Sequence, residues 1–155
     1  MTAGNERFEL SRLIEAPAEK IFAVLSDPRG HVLIDASGML QSASGEKVTG
    51  VGDTFTVHMD RESLGDLPMG KYTVTILITA YEPDALIEWT VTGTRNPPIN
   101  QRYGYRLEPS GTGTLVTSYY DWSQIEPRYR DMISFPVIAD TTLKATLGIL
   151  ARTVE

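Results

Sequence analysis

The feature that most constrains the fold is a succession of six short segments of alternating apolar and polar residues between residues 39 and 123. The clearest of them places Tyr72, Val74 and Ile76 on one face and mostly threonine on the other. A period of two, with many β-branched residues, predicts strands. Because short stretches of turn residues join the six segments, we expect an antiparallel meander.

A strand and two short helices are predicted before this meander. Residues 8–15 alternate between apolar and polar and indicate the first strand, and Pro17 suits the first position of a helix. Asp27 and Pro28 should end that helix, because proline disfavours helical geometry in the residue before it. Residues 29–34 then predict a second short helix.

One long helix is predicted at the C-terminal end. It should begin near Asp140, a suitable N-cap, and Leu143 and Leu147 mark its buried face. Pro136 does not fit inside a helix, so residues 132–137 should be irregular. Methionine and phenylalanine in that segment are adaptable apolar covers and favour a lid. The predicted fold class is α+β, with a seven-stranded curved antiparallel sheet around the long C-terminal helix in one domain spanning residues 1–155.

Composition argues against several classes of function. The 155 residues carry a formal net charge of -6 without any basic run, whereas a nucleic-acid partner requires a surplus of lysine and arginine. No segment approaches the ~20 apolar residues that span a bilayer, so we expect no integral membrane protein. The polar residues 1–7 precede no apolar signal segment, and cysteine is absent, which suits a reducing compartment. We therefore expect a cytoplasmic protein, either a monomer or a homodimer.

Four segments resemble the START-like helix-grip superfamily. The sequence IEAPAEKIFAVLSDP at residues 14–28 looks like its first strand and helix. The sequences RLEP at 106–109, GTLVT at 113–117 and YDWS at 120–123 look like its last two strands. The bacterial polyketide cyclase/dehydrase-like branch is the most similar. The resemblance implies a helix-grip fold with a cavity for an apolar or aromatic small molecule, and the superfamily includes carriers, receptors, enzymes and protein-binding modules.

One segment departs from the superfamily pattern. Many relatives carry a Trp-Pro-x-Trp-like sequence after the first helix, but residues 31–35 here read HVLID. The catalytic residues of aromatase-type cyclases have no matching motif in this chain, so none is transferred.

The concave face of the predicted sheet carries aromatic and hydroxyl-bearing side chains that suit a mostly apolar cavity. Core packing explains any one of them equally well, but as a set beneath a helix of leucine and alanine they favour a lined cavity. The residues expected to line it are Phe55, Val57, Met59, Tyr72, Val74, Ile76, Trp89, Tyr103, Tyr105, Ser118, Tyr120, Trp122, Leu143 and Leu147.

Catalytic candidates are few. His31 and Asp35 are four residues apart, so on one helix the carboxylate would orient the imidazole for general-base chemistry. The alternative is a local cap that fixes the turn after the helix. His31 and His58 are far apart in the sequence without a zinc-binding spacing, and the glycine pairs continue into no phosphate-binding motif. No metal site and no cofactor are predicted.

Three functions stay open on these grounds. The first is non-catalytic binding or carriage of an apolar or aromatic small molecule, lipid- or polyketide-like. The second is a cyclase or dehydratase acting on a polyketide-like substrate through His31, Asp35 and tyrosine hydroxyls. The third is a protein-interaction module, which requires an exposed apolar patch or an unpaired strand edge.

Overall fold

The computed structural model describes residues 6–65, 70–93 and 95–155. Residues 1–5, and residues 67–69 in the loop predicted before the fourth strand, lie outside this description. The strands of the described part are β1 Arg7–Ile14, β2 Leu40–Ser44, β3 Thr54–Asp60, β4 Lys71–Glu82, β5 Leu86–Thr92, β6 Arg102–Ser110 and β7 Gly113–Asp121. The α-helices are α1 Ala18–Leu25 and α2 Pro28–Ile34 between β1 and β2, and α3 Asp140–Val154 after β7.

All seven strands form one antiparallel sheet in the order β1-β7-β6-β5-β4-β3-β2. From β2 to β7 each strand pairs with the next along the chain, as expected for a meander, and β1 closes the row beside β7. The register shifts between Leu40 and Ser42 and between Ile78 and Ala80. Such irregularities increase the local twist and bend a sheet. The predicted α+β helix-grip architecture is confirmed.

The two short helices meet at a close backbone contact. Asp27 caps α2 by accepting a hydrogen bond from the backbone nitrogen of Arg29 at 3.0 Å, and Pro28 is the first helical residue. Gly30 faces the C-terminal end of α1, where a Cβ atom would lie 1.9 Å from the carbonyl oxygen of Val24. The absence of a side chain at Gly30 therefore allows α2 to pack directly against α1.

The C-terminal helix begins where the sequence predicts. Asp140 is its first helical residue, but the N-cap is Ala139 and no side chain caps the helix. The prediction of Asp140 as N-cap is therefore wrong by one position, and its carboxylate instead lies in the first turn, where the helix dipole favours negative charge. Residues 130–139 contain no helix, as Pro136 predicts, and follow a short 3₁₀ turn at Pro127–Tyr129.

Apolar side chains form two clusters of unequal size. The main one joins the concave face of the sheet to α1, α2 and the buried side of α3, which includes Leu147, Leu150 and Val154. The second centres on Tyr120 and Trp122 near the end of β7, and Phe135 and Val137 from the segment before α3 pack on it. Within the described ranges no helix is both long and apolar enough to cross a membrane.

Candidate functional site

A cavity of about 860 Å³ opens between the concave face of the sheet and the helices. Strands β3 to β6 form its floor, α2 and α3 form its sides, and residues 132–138 cross one end. Cavities that bind small molecules usually measure ~300–1,000 Å³. The volume therefore suffices for a multi-ring or long-chain molecule.

Nine of the fourteen residues predicted to line the cavity do so, and both catalytic candidates also contact it. On each contributing strand they occupy alternate positions, which is why a period of two identified them. The nine are Val57, Met59, Tyr72, Val74, Ile76, Trp89, Tyr103, Tyr105 and Leu143, joined by His31 and Asp35.

The other five predicted residues are buried elsewhere. Phe55 lies under His31 in the main core, at 5.1 Å between ring centroids, and Leu147 packs in that core from α3. Ser118 of β7 is buried directly opposite Tyr105 of β6.

Tyr120 and Trp122 belong to the second apolar cluster instead. Trp122 packs against Phe8 of β1, with 5.0 Å between ring centroids, and Tyr120 lies between them and Tyr103. The period of two correctly places both side chains on the concave face. They do not line the cavity, because β7 lies next to the edge strand β1 and the cavity extends only to β6.

Aromatic rings on neighbouring strands form a row that ends in the cavity. Tyr103 stacks on Tyr120 with ring centroids 4.7 Å apart and planes 5° from parallel. Trp89 lies 6.1 Å from Tyr103 on the other side, at 17°. These pairs occupy directly opposite positions of β5, β6 and β7, so the sheet register sets the row.

His31 forms part of the cavity wall and is 8% exposed. Its Nε2 lies 2.8 Å from the carbonyl oxygen of Leu25, and its ring meets Trp89 edge-on with centroids 4.7 Å apart. Burial lowers the pKa of the imidazole, against smaller opposing effects of the hydrogen bond to Leu25 and the charge of Asp27. The ring is therefore neutral near pH 7.

Asp35 does not form the predicted pair with His31. Helix α2 ends at Ile34, and Asp35 has the extended backbone angles φ -63° and ψ 120°. Its carboxylate accepts hydrogen bonds from the backbone nitrogen and hydroxyl of Ser37, at 3.0 and 2.7 Å, and from the nitrogen of Leu40 at 3.1 Å. Asp35 thus fixes the turn into β2, which is the capping alternative.

Polar residues that the sequence did not single out also line the cavity. Gln101 immediately precedes β6, and its side-chain oxygen accepts a hydrogen bond from the Tyr120 hydroxyl. Arg61, only 8% exposed, donates from Nη2 to the carbonyl oxygen of Val137 at 3.2 Å. Each continues the period of two of the adjoining strand, Gln101 before Tyr103 and Arg61 after Met59, but a polar side chain beyond a strand end was not predicted to face inward.

Two cavity tyrosines, Tyr103 and Tyr105, keep their protons. Burial raises the pKa of Tyr105 well above its ordinary value, although the neighbouring Ser118 opposes the shift. Burial likewise raises the pKa of Tyr103. At neutral pH both phenols are hydrogen-bond donors and not phenolates. Among residues 6–65, 70–93 and 95–155 no three acidic or histidine side chains converge as metal ligands.

Comparison with known proteins places this architecture in a family. The family described as "Polyketide cyclase / dehydrase and lipid transport" matches residues 5–155. An uncharacterised protein of Mycobacterium tuberculosis strain H37Rv is 34% identical over 158 residues, covering 96% of this chain and 64% of that protein. This chain thus spans less than two thirds of that relative.

Solved structures share the fold at lower identity. Protein CV1439 of Chromobacterium violaceum has a TM-score of 0.70 at 16% identity, covering 97% of this chain and 98% of its own. Major latex-like protein 151 of Panax ginseng has a TM-score of 0.64 at 14% identity, covering 96% of both chains. At such identities the similarity shows the helix-grip fold alone. With the match over residues 5–155, the chain belongs to the polyketide cyclase/dehydrase and lipid transport family of the START-like superfamily.

Proposed function

We propose that the protein binds or carries an apolar or aromatic small molecule, lipid- or polyketide-like, in the cavity between sheet and C-terminal helix. The observation that carries the proposal is the cavity itself, about 860 Å³ of space among apolar and aromatic side chains. Removing apolar surface from water stabilises a complex by roughly 25 cal/mol per Å². An apolar ligand that fills such a space therefore gains its affinity mainly from burial.

The walls combine rigid and adaptable parts. Trp89 and Tyr103 offer flat aromatic surfaces fixed by the sheet register, which suit a ring system. Met59 and Met132 line the cavity as well, and methionine adapts to irregular shapes. Met132 is 66% exposed, so it lies where the cavity meets the surface. This combination favours a class of related apolar molecules.

The proposal is tested by filling the cavity from α3. Thr142 and Thr146 line it, one helical turn apart, whereas the neighbouring Thr141 and Ala145 are exposed. We expect Thr142→Phe with Thr146→Phe to weaken binding of the neutral dye N-phenyl-1-naphthylamine by at least about tenfold, by occupying the space the dye needs. Binding is measured by dye fluorescence, and the fold of each variant by circular dichroism.

The matched control is the double variant Thr141→Phe with Ala145→Phe. It adds the same two rings to the same helix on the exposed side, so dye affinity should equal that of wild type. Equal dye binding by both double variants would refute the cavity as the binding site. Native mass spectrometry of protein purified without detergent would then identify any co-purifying molecule.

A cyclase or dehydratase acting on a polyketide-like substrate is the second candidate. The observation in its favour is His31, a neutral imidazole in the cavity wall whose orientation is fixed by the Leu25 carbonyl. The Asp35 carboxylate accepts hydrogen bonds from Ser37 and Leu40, so this candidate mechanism relies on His31 without a carboxylate partner. Conversion of a β-keto thioester by wild type, lost in His31→Gln and detected by mass spectrometry, would favour this enzyme.

The interaction-module alternative has less support. In the described part of the chain, the large apolar side chains exposed to solvent are Leu13, Leu33, Val51 and Met132. They lie on β1, on α2, in the turn before β3 and in the segment before α3, so no single element presents an apolar face.

A further inference from the structure

Gln101 is a buried amide in the wall of the cavity. The residue is 8% exposed and lines the cavity directly before β6. Burying an amide without hydrogen bonds costs roughly 1–3 kcal/mol in proteins, so each of its polar atoms requires a partner. The oxygen and the nitrogen of this amide have different surroundings.

Tyr120 and Val137 fix the direction of the amide oxygen. The Tyr120 oxygen accepts a hydrogen bond from the backbone nitrogen of Val137 at 3.2 Å. Burial raises the pKa of Tyr120 to about 12, so its own proton is retained at neutral pH. That proton is donated to Oε1 of Gln101. A retained phenol proton needs an acceptor, and the acceptor here is Oε1, so the amide presents its oxygen and not its nitrogen to Tyr120.

The amide nitrogen of Gln101 is consequently left with two N–H groups to donate. Among the described residues it makes no hydrogen bond, and Thr90 Oγ1 is the one side-chain polar atom both unpartnered and fully enclosed by protein. The Gln101 nitrogen therefore keeps accessible surface, and the accessible space beside this residue is the cavity. The molecule thus holds an oriented donor in a mostly apolar wall.

We propose that Gln101 is the specificity-determining residue of the cavity and that the ligand carries a carbonyl-type oxygen that accepts a hydrogen bond from its amide nitrogen. This inference rests on the proposed binding function and narrows the ligand from any apolar molecule to one with an acceptor oxygen. A hydrocarbon of the same shape leaves the amide N–H groups unpaired after water is expelled, which weakens its binding. Arg61 also lines the cavity, and its positive charge favours the negative end of a carbonyl dipole.

The test compares two rigid molecules that differ only in the carbonyl group, 9-fluorenone and fluorene. We expect wild type to bind fluorenone about three- to tenfold more tightly, as one net hydrogen bond allows. Gln101→Met keeps the length of the side chain and removes the amide, so it should bind both compounds with equal affinity. Gln124→Met makes the same change at an exposed position and should keep the wild-type preference.

A spectroscopic measurement on wild type does not depend on how the variants fold. The infrared carbonyl stretch of bound fluorenone should lie at lower wavenumber than in a hydrocarbon solvent, and this shift should vanish in Gln101→Met. An unshifted stretch in wild type, or an undiminished preference in Gln101→Met, would overturn the inference. Equal binding of both compounds by wild type would overturn it while sparing the proposed function. Failure of wild type to bind either compound would overturn both.

Discussion

The imidazole Nε2 of His31 lies 2.8 Å from the carbonyl oxygen of Leu25, the last residue of α1. A carbonyl oxygen only accepts hydrogen bonds, so Nε2 carries the proton. The last carbonyls of a helix have no partner within it, and His31 from α2 supplies one. The same bond holds the ring in the cavity wall. Protonation of His31 therefore affects both the stability of the fold and the cavity.

The lowered pKa of His31 predicts a loss of stability in mild acid. Burial holds the folded-state value below the ordinary 6.5. As the pH falls below about 6.5, the unfolded chain takes up a proton that the folded state does not, so the free energy of unfolding decreases. The stabilisation from neutral His31 is fully present above the unfolded-state pKa. Below that pKa the free energy of unfolding falls by at most about 1.4 kcal/mol per pH unit. Urea unfolding at pH 7.5, 6.5 and 5.5 measures it.

Two glutamine variants isolate the effect. His31→Gln keeps an N–H group for the Leu25 carbonyl but does not titrate, so its free energy of unfolding should fall less between pH 6.5 and 5.5. His58 lies on the exposed side of β3, so in His58→Gln the free energy of unfolding should change with pH as it does in wild type. Identical slopes in wild type and His31→Gln would contradict this account.

The contact between Gly30 and Val24 predicts a severe cost for the smallest substitution. In Gly30→Ala the new methyl group would lie 1.9 Å from the Val24 carbonyl oxygen, which is backbone and cannot rotate away. The helices must separate, and we expect a loss of about 3 kcal/mol or more in the free energy of unfolding. Gly50→Ala is the control, because its Cβ would meet no atom within 4 Å. An equal effect of both changes on urea unfolding would show that close packing at Gly30 is unimportant.

The fold was predictable because its main signals are local. A period of two in residues 71–79 follows directly from side chains that alternate across a sheet, and Pro136 prevents helix by its own covalent structure. Residues 54–59 and 86–91 identified Val57 and Trp89 as inward-facing for the same reason. The strand pattern does not say how far a cavity extends along the sheet, so Tyr120 and Trp122 were placed in it although they pack beside β1.

The polar part of the site required three-dimensional structure. His31 and Asp35 have helical spacing, but α2 ends between them, and a one-residue error in a helix end changes the direction of a side chain. The orientation of the Gln101 amide is set by Tyr120 and Val137, which are distant in sequence. Gln101 continues the period of two of Tyr103 and Tyr105, but the hydrogen bonds that orient its amide join distant residues and leave no trace in a single sequence.

The segment across the cavity predicts a last result, on ligand exchange. Residues 132–138 line one end of the cavity, and the backbone of Val137 is held on both sides. Its N–H donates to the Tyr120 hydroxyl and its carbonyl accepts from Arg61, each at 3.2 Å. If this segment is the lid, Tyr120→Phe should accelerate dissociation of fluorene about tenfold by removing one of the two bonds.

The neighbouring tyrosine offers the control for that experiment. Tyr119 points to the opposite face of the sheet, where its hydroxyl donates to Glu88 at 2.7 Å. Tyr119→Phe therefore also removes one hydroxyl and one hydrogen bond, but at a site remote from residues 132–138. Dissociation is followed by stopped-flow displacement with excess dye, and stability by urea unfolding. Faster release from Tyr120→Phe alone supports a lid anchored at Val137, because a general loss of stability would accelerate release from both variants. Equal rates in wild type and Tyr120→Phe would mean that the ligand leaves by a route that does not require Val137 to move.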